Sequence, residues 1–133
     1  LLIPDLPLKE MSFLYRKETH LNHLKPVHMM SHTLPLDHIK HIVDHSSYYI
    51  YLIAYLGTTG KTITLHRELQ QLIKNIHQIK DIPVAVGFGI KTRQDVDRVL
   101  SYADGAIVGT ALIQQLEKGT ESAKSFLREL LCR

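Results

Sequence analysis

Residues 83–110 read PVAVGFGIKTRQDVDRVLSYADGAIVGT, and the punctuation of this stretch decides the fold. An apolar run ends in Gly87-Phe88-Gly89, a segment with helical spacing follows, and a second apolar run ends in Val108-Gly109-Thr110. The order is strand, glycine loop, helix, strand, glycine loop, helix. Two such strands lie parallel and are joined by a right-handed crossover. Both glycine loops then sit at the same end of the sheet. Glycine lets backbone N–H groups approach a ligand closely, and a helix N-terminus favours an anion, so the stretch predicts a phosphate cradle.

The alternation extends upstream and downstream. Residues 1–4 (LLIP) are short and apolar and run into Asp5-Leu6-Pro7, like a buried strand entering a loop. Residues 8–22 carry mixed charge at helical spacing. Residues 26–30 (PVHMM) form a second candidate strand, with Pro26 at its first position, where a missing N–H costs least. Leu34-Pro35 opens a helix to about residue 45, with Pro35 in the first turn. Residues 48–55 (YYIYLIAY) are the strongest strand, and alternation places one of Tyr48 and Tyr49 in the core and the other outside. A flexible loop from Gly57-Thr58-Thr59-Gly60 runs to about residue 65. Leu69, Leu72, Ile73, Ile76 and Ile79 then mark an amphipathic helix over residues 67–80. Strands follow at 84–86 and 106–108, with helices at 94–102, 111–117 and 122–131, the last two broken near Gly119.

Strand and helix therefore alternate through five βα steps with no linker between them, which predicts an α/β fold and one domain over residues 1–133. The pattern fits half of a closed (β/α)8 barrel or an open doubly wound sheet. A doubly wound nucleotide-binding sheet needs G-x-G-x-x-G after an early strand, and here Ile90-Lys91-Thr92 follows Gly87-Phe88-Gly89 instead. In barrels the loops after strands seven and eight commonly bind phosphate, and a complete barrel takes about 250 residues. The 133 residues are read as the C-terminal half of such a barrel, strands four to eight with their helices. The chain opens inside the run Leu1-Leu2-Ile3 without a methionine, so its beginning is expected to lie upstream.

Composition narrows the partners. The formal charge of +3, from 16 basic and 13 acidic residues, is scattered rather than clustered with aromatics, which argues against a nucleic-acid groove. The one cysteine, Cys132, sits at the frayed end, excludes an internal disulfide framework and fits a reducing compartment. No apolar stretch approaches the roughly 18 residues of a membrane span, and the chain does not open on a signal-peptide pattern. A cytoplasmic setting without membrane contact is the expectation. Nine histidines raise the question of a metal. His38, His41 and His45 recur at three- and four-residue steps, but no H-E-x-x-H accompanies them, and Asp37 and Asp44 fall on other faces. They read as a solvated helix face, with no metal expected.

Three ordered stretches resemble the tryptophan synthase alpha chain family. Ile3-Pro4-Asp5-Leu6-Pro7 is similar to the family's PDLP after its fourth strand. Tyr51-Leu52-Ile53 with Gly57-Thr58-Thr59-Gly60 is similar to the sixth strand and its GxTG loop. Val86-Gly87-Phe88-Gly89-Ile90 with Asp104-Gly105-Ala106-Ile107-Val108-Gly109-Thr110 is similar to the ends of the seventh and eighth strands. The resemblance implies a (β/α)8 barrel that cleaves indole-3-glycerol phosphate to indole and glyceraldehyde 3-phosphate, without a cofactor of its own. It implies a beta-chain partner carrying pyridoxal phosphate. It places the catalytic glutamate and aspartate upstream of Leu1, so that no catalytic residue is expected in this chain.

On the same resemblance the substrate site comprises Tyr51, Thr59, Gly60, Phe88, Gly89, Ile107, Gly109 and Thr110. Leu2 and Met29 join the indole pocket, and Asp5 and Pro7 lie at its rim or face the partner. The chain departs from the family at Ala54 and Tyr55, where Ser-Arg is usual, and at Lys61, Thr62 and Ile63, where an arginine is common. Residues 28–32 carry histidines where the family is mostly apolar or proline. These departures leave an alternative, a binding or regulatory alpha-type subunit that activates a beta partner with little lyase activity. A phosphate barrel with another substrate, as in sugar-phosphate isomerases or indole-glycerol phosphate synthase, is a third reading, against which the GxTG loop argues.

Overall fold

The computed structural model describes residues 1–4, 14–54, 62–87 and 89–131, with residues 14–16 and 62–66 described by backbone alone. Helices and strands alternate along it: α1 (Leu14–Leu21), β1 (His28–Ser31), α2 (Leu36–His45), β2 (Ile50–Ile53), α3 (Thr62–Ile79), β3 (Val84–Gly87), α4 (Arg93–Leu100), β4 (Gly105–Ile107), α5 (Thr110–Glu117) and α6 (Thr120–Leu131). The strands form one parallel sheet in the order β1-β2-β3-β4. Met29 pairs with Tyr51, Tyr51 with Ala85, and Ala85 with Gly105. Each strand thus neighbours the next in sequence, the stepwise order of a barrel wall.

Side-chain alternation sorts the sheet into two faces. Met30, Ile50, Leu52, Val84 and Val86 are at most 2% exposed and pack on Ile39, Ile42 and Val43 of α2, Leu69, Ile73 and Ile76 of α3, and Val99 of α4. In α3 the buried positions recur every three or four residues while Glu68, Gln70, Gln71 and Lys74 stay in water, so burying one stripe fixes the helix on the sheet. Each fully buried aliphatic side chain contributes about 1.5–3 kcal/mol relative to exposure. The opposite face carries Met29, Tyr51, Ile53, Ala85 and Ile107, all half-buried.

Polar staples hold the edge where the strands begin. Val84 N–H donates to Asp104 Oδ2 at 2.8 Å, and His77 Nε2 lies 3.1 Å from the same oxygen. Lys80 donates to the Ser46 carbonyl. The Ser46 hydroxyl donates to the Ile42 carbonyl at 2.8 Å, so buried His28 Nδ1 donates to Ser46 Oγ at 2.9 Å. In barrels this end serves stability, and the opposite end serves function.

Several boundaries differ from expectation. Residues 1–4 form a single parallel bridge, Leu2 to Val27, with Val27 N–H donating to the Leu1 carbonyl. The strand expected over 26–30 starts at His28, where pairing to Ile50 begins. Tyr48 and Tyr49 both precede β2 and neither is core; Tyr48 is 54% exposed, and their rings meet edge-on at 5.6 Å. Pro35 is the N-cap of α2 rather than part of its first turn, with φ −58° and ψ 149°. α3 begins at Thr62, inside the stretch read as loop. β4 spans Gly105–Ile107, one residue earlier than read. The Gly119 break is observed, with φ 121° between α5 and α6. On α2 the His41 and His45 rings stack at 4.1 Å, and His45 Nδ1 donates to the His41 carbonyl.

Candidate functional site

The C-terminal ends of β3 and β4 lead toward Gly89 and toward Gly109 and Thr110. Gly109 is the N-cap of α5, and the N-cap makes no side-chain hydrogen bond. Among the described residues, a Cβ on Gly109 would meet nothing within 4 Å. Its carbonyl accepts from Leu112 N–H at 2.9 Å and Ile113 N–H at 3.1 Å, which starts the helix. Thr110, the first helical residue, is exposed. An open helix start attracts an anion through its N–H groups and the positive end of the helix dipole. A short helix after the eighth strand is where barrels commonly hold phosphate, and α5 has 8 residues.

The junction after β3 is different. Thr92 caps α4 in a closed capping box: Asp95 N–H donates to Thr92 Oγ1 at 3.2 Å, and Thr92 N–H donates to Asp95 Oδ2 at 3.0 Å. Lys91 N–H and the Thr92 hydroxyl also donate to Asp95 Oδ2. Burial alone would raise the Asp95 pKa. The hydrogen bonds from Thr92 and Lys91, with Arg98 nearby, outweigh it and hold the carboxyl below the ordinary value. That carboxylate takes up the Lys91 and Thr92 N–H groups at the start of α4. Gly89, at φ 77°, adopts a conformation that glycine accepts without strain.

Tyr51 belongs to the half-buried face, and its ring lies across Gly87. A Cβ on Gly87 would overlap Tyr51 Cε2 and the phenol oxygen and come within 2.7 Å of Cζ. The glycine is needed here to seat an aromatic ring. Burial first, and the Tyr49 phenol second, push the Tyr51 hydroxyl above its ordinary pKa, so near neutral pH it is an uncharged donor beside the site. Ile107 ends β4 on the same face, paired with Gly87, and Met29 faces Tyr51 from β1.

Gly89, Ile107, Gly109 and Thr110 thus lie where β3 and β4 end, while Tyr51 is the second residue of β2 and its ring reaches Gly87. Leu2 is half-buried at its bridge to Val27. Thr59, Gly60, Phe88, Asp5 and Pro7 lie outside the described residues, as do Tyr55 and Cys132. Two features escaped the sequence reading. The Thr92-x-x-Asp95 signature of a capping box was legible and marks α4 as self-capped. The contact of Gly87 with Tyr51 was not, because it joins two strands.

A recess lies elsewhere, toward the strand starts. It holds about 340 Å³ and is lined by Tyr48, Tyr49, Ala85, Asp104, Gly105 and Ile107, among others. Among the described residues no group of three or more His, Cys, Asp or Glu side chains is arranged to hold a metal, and no helix is long and apolar enough to cross a membrane.

A family model described as tryptophan synthase alpha chain matches residues 1–133. The tryptophan synthase alpha chain of Chloroflexus aggregans is 40% identical over 135 residues, covering 98% of this chain and 50% of the relative. That of Streptococcus gordonii is 33% identical, covering 97% of this chain and 49% of the relative. Among solved structures, the alpha subunit from Campylobacter jejuni superposes with a TM-score of 0.89 at 32% identity, over 98% of this chain and 53% of that one. A tryptophan synthase complex from Pyrococcus furiosus gives 0.80 at 30% identity, over 98% and 52%. The chain spans about half the length of the relatives it matches.

Proposed function

This chain belongs to the tryptophan synthase alpha chain family, and from that premise we propose that it supplies the phosphate-binding half of a lyase acting on indole-3-glycerol phosphate. The observation that carries the reading is the start of α5, where Gly109 and Thr110 follow Ile107 and, among the described residues, no side chain caps the helix. The phosphate would sit on the first-turn N–H groups of α5 and against the backbone at Gly89. The flat, apolar ring of Tyr51, with Met29 and Ile107, suits an indole. Thr59, Gly60 and Phe88 join the site by family analogy, with Leu2 in the indole pocket and Asp5 and Pro7 at its rim.

Cleavage breaks the bond between indole C3 and the first glycerol carbon. An acid delivers a proton to C3, and a base removes the proton of the hydroxyl on that carbon, which becomes the aldehyde of glyceraldehyde 3-phosphate. Family analogy assigns both groups to residues outside this segment. The residues present here anchor the phosphate and stack on the ring, which holds the scissile bond in place for groups supplied from the other half. The step needs proton transfers alone, so pyridoxal phosphate is assigned to a beta-chain partner that consumes indole. A soluble cytoplasmic enzyme is the setting this chemistry suits.

The test is indole release from indole-3-glycerol phosphate by this segment joined to an upstream half, with and without the beta chain. Indole release that accelerates with the beta chain is expected. Phosphate-ester binding without indole would overturn the lyase assignment and leave a binding subunit. Absence of both would overturn the site.

A further inference from the structure

The row of the sheet nearest the strand ends carries one polar side chain. In register it runs Ser31, Ile53, Gly87 and Ile107, two residues along each strand from the row of Met29 and Tyr51 and so on the same face. Ser31 is half-buried at the end of β1. A hydroxyl offers one hydrogen and two lone pairs. Ser31 Oγ accepts from Thr33 N–H at 3.3 Å and lies 2.9 Å from Thr33 Oγ1. Leu34 N–H donates to the Ser31 carbonyl at 3.3 Å, which closes the turn. With the Thr33 hydroxyl as donor, both lone pairs of Ser31 are filled and its own hydrogen is left over. Among the described residues no acceptor takes that hydrogen. The turn therefore holds an O–H donor in a fixed place beside apolar neighbours.

We propose that Ser31 is a specificity-determining residue whose hydroxyl donates to an oxygen on the benzo ring of a bound indole, so that the site prefers a ring-hydroxylated indole phosphate ester to one with a methyl group in that place. The inference rests on the proposed function, which puts the phosphate at Gly109 and the ring against Tyr51 and Met29. That arrangement sets the direction of the ligand. A phosphate held beyond β4 and a ring lying over β2 and β1 turn the far edge of the ring toward the end of β1, the strand farthest from β4 in the sheet. Three inter-strand steps of about 4.8 Å, about 14 Å in all, form a span that an indole joined through three carbons to a phosphate crosses. At that edge Met29 and Ile53 are apolar, and a hydroxyl and a methyl group are close in size, so packing alone does not separate them. A hydroxyl that gave up water without a partner would be penalised, and the Ser31 donor removes that penalty.

The test joins the 133 residues to an upstream half and titrates it by calorimetry with indole-3-propanol phosphate, which lacks the hydroxyl that cleavage needs. Its 5- and 6-hydroxy and 5- and 6-methyl forms are compared. At one ring position or both, the hydroxy form should bind about tenfold more tightly than the methyl form. Ser31→Ala should erase that preference and leave affinity for the methyl form unchanged, which also shows that the variant folds. Thr33→Val leaves Ser31 its hydrogen and should keep the preference. Equal binding of hydroxy and methyl forms at both positions would overturn the proposal. So would a preference that survives Ser31→Ala, an equal loss of both forms in that variant, or a preference lost in Thr33→Val. If even the unsubstituted compound fails to bind, the proposed phosphate and ring site falls, and the role of Ser31 with it. Binding of that compound without discrimination among the substituted forms removes the role of Ser31 alone.

Discussion

The junctions after β3 and β4 share one plan, a strand running through glycine into a helix, yet they complete their helices in opposite ways. α4 closes on itself: Thr92 and Asp95 exchange hydrogen bonds, and the carboxylate sits where an anion would bind. Among the described residues α5 has no side-chain cap, and none stands within 4 Å of where a Gly109 side chain would begin. A helix start satisfied from within gains stability and loses its use as a receptor. One left open is worth less to the fold and keeps its N–H groups for a ligand. The pair of glycine loops is therefore asymmetric, and under the proposed function an anion would be drawn toward α5.

The strongest challenge to this contrast is to give α5 what α4 has. Gly109→Asp supplies an acidic N-cap and should reduce phosphate-ester affinity of the assembled protein about a hundredfold, near 2.8 kcal/mol, by calorimetry. Unchanged affinity would place the anion elsewhere. Next in size is Gly87→Ala, whose methyl group collides with the Tyr51 ring. Denaturant unfolding should show a loss of about 2 kcal/mol, largely recovered when Tyr51→Ala is added. A third change, Asp95→Ala, opens the α4 box and should cost about 1 kcal/mol of stability with little change in phosphate affinity. If binding tightens markedly instead, the two junctions compete for the same anion.

The smallest effect is in pH. The Asp95 carboxyl is held below its ordinary value in the folded chain, so the unfolded chain takes up the proton first. Its contribution is complete above the unfolded value of about 3.9 and is lost as pH falls through the lower folded value. Asp95→Asn should flatten that part of the acid limb of stability while leaving the neutral plateau lower. A parent and variant with parallel acid limbs would show that Asp95 is not the group responsible.

Much of the architecture was legible because a parallel βα unit writes its own rhythm. Apolar runs at β2, β3 and β4 and the stripe of Leu69, Ile73 and Ile76 required only local periodicity. Gly109-Thr110 at a helix start was legible for the same reason. What failed depended on neighbours. Tyr48 and Tyr49 look like strand residues, but the ladder starts where His28 and Val84 offer partners, at Ile50. Residues 1–4 look like a full strand, but only Leu2 finds a bridge. The role of Gly87 could not be read, since its reason is a ring on another strand. The Asp95 cap lay in plain view as Thr-x-x-Asp, and reading the loop only as a cradle hid it.

The strand order carries a last consequence, for how the chain folds. Every rung of the sheet joins strands that are consecutive in sequence, separated by one helix and its two connections. Loop closure before each pairing is therefore short-range, which keeps contact order low for a parallel sheet and favours fast, stepwise growth. During synthesis β1 and β2 emerge before β3, and β3 before β4, so each new strand meets a template already made. The last to be laid down is β4, which brings with it the open helix end at Gly109. The ligand's anchor would then be the final piece of this sheet to form, and its occupancy a report that the strands before it are in place.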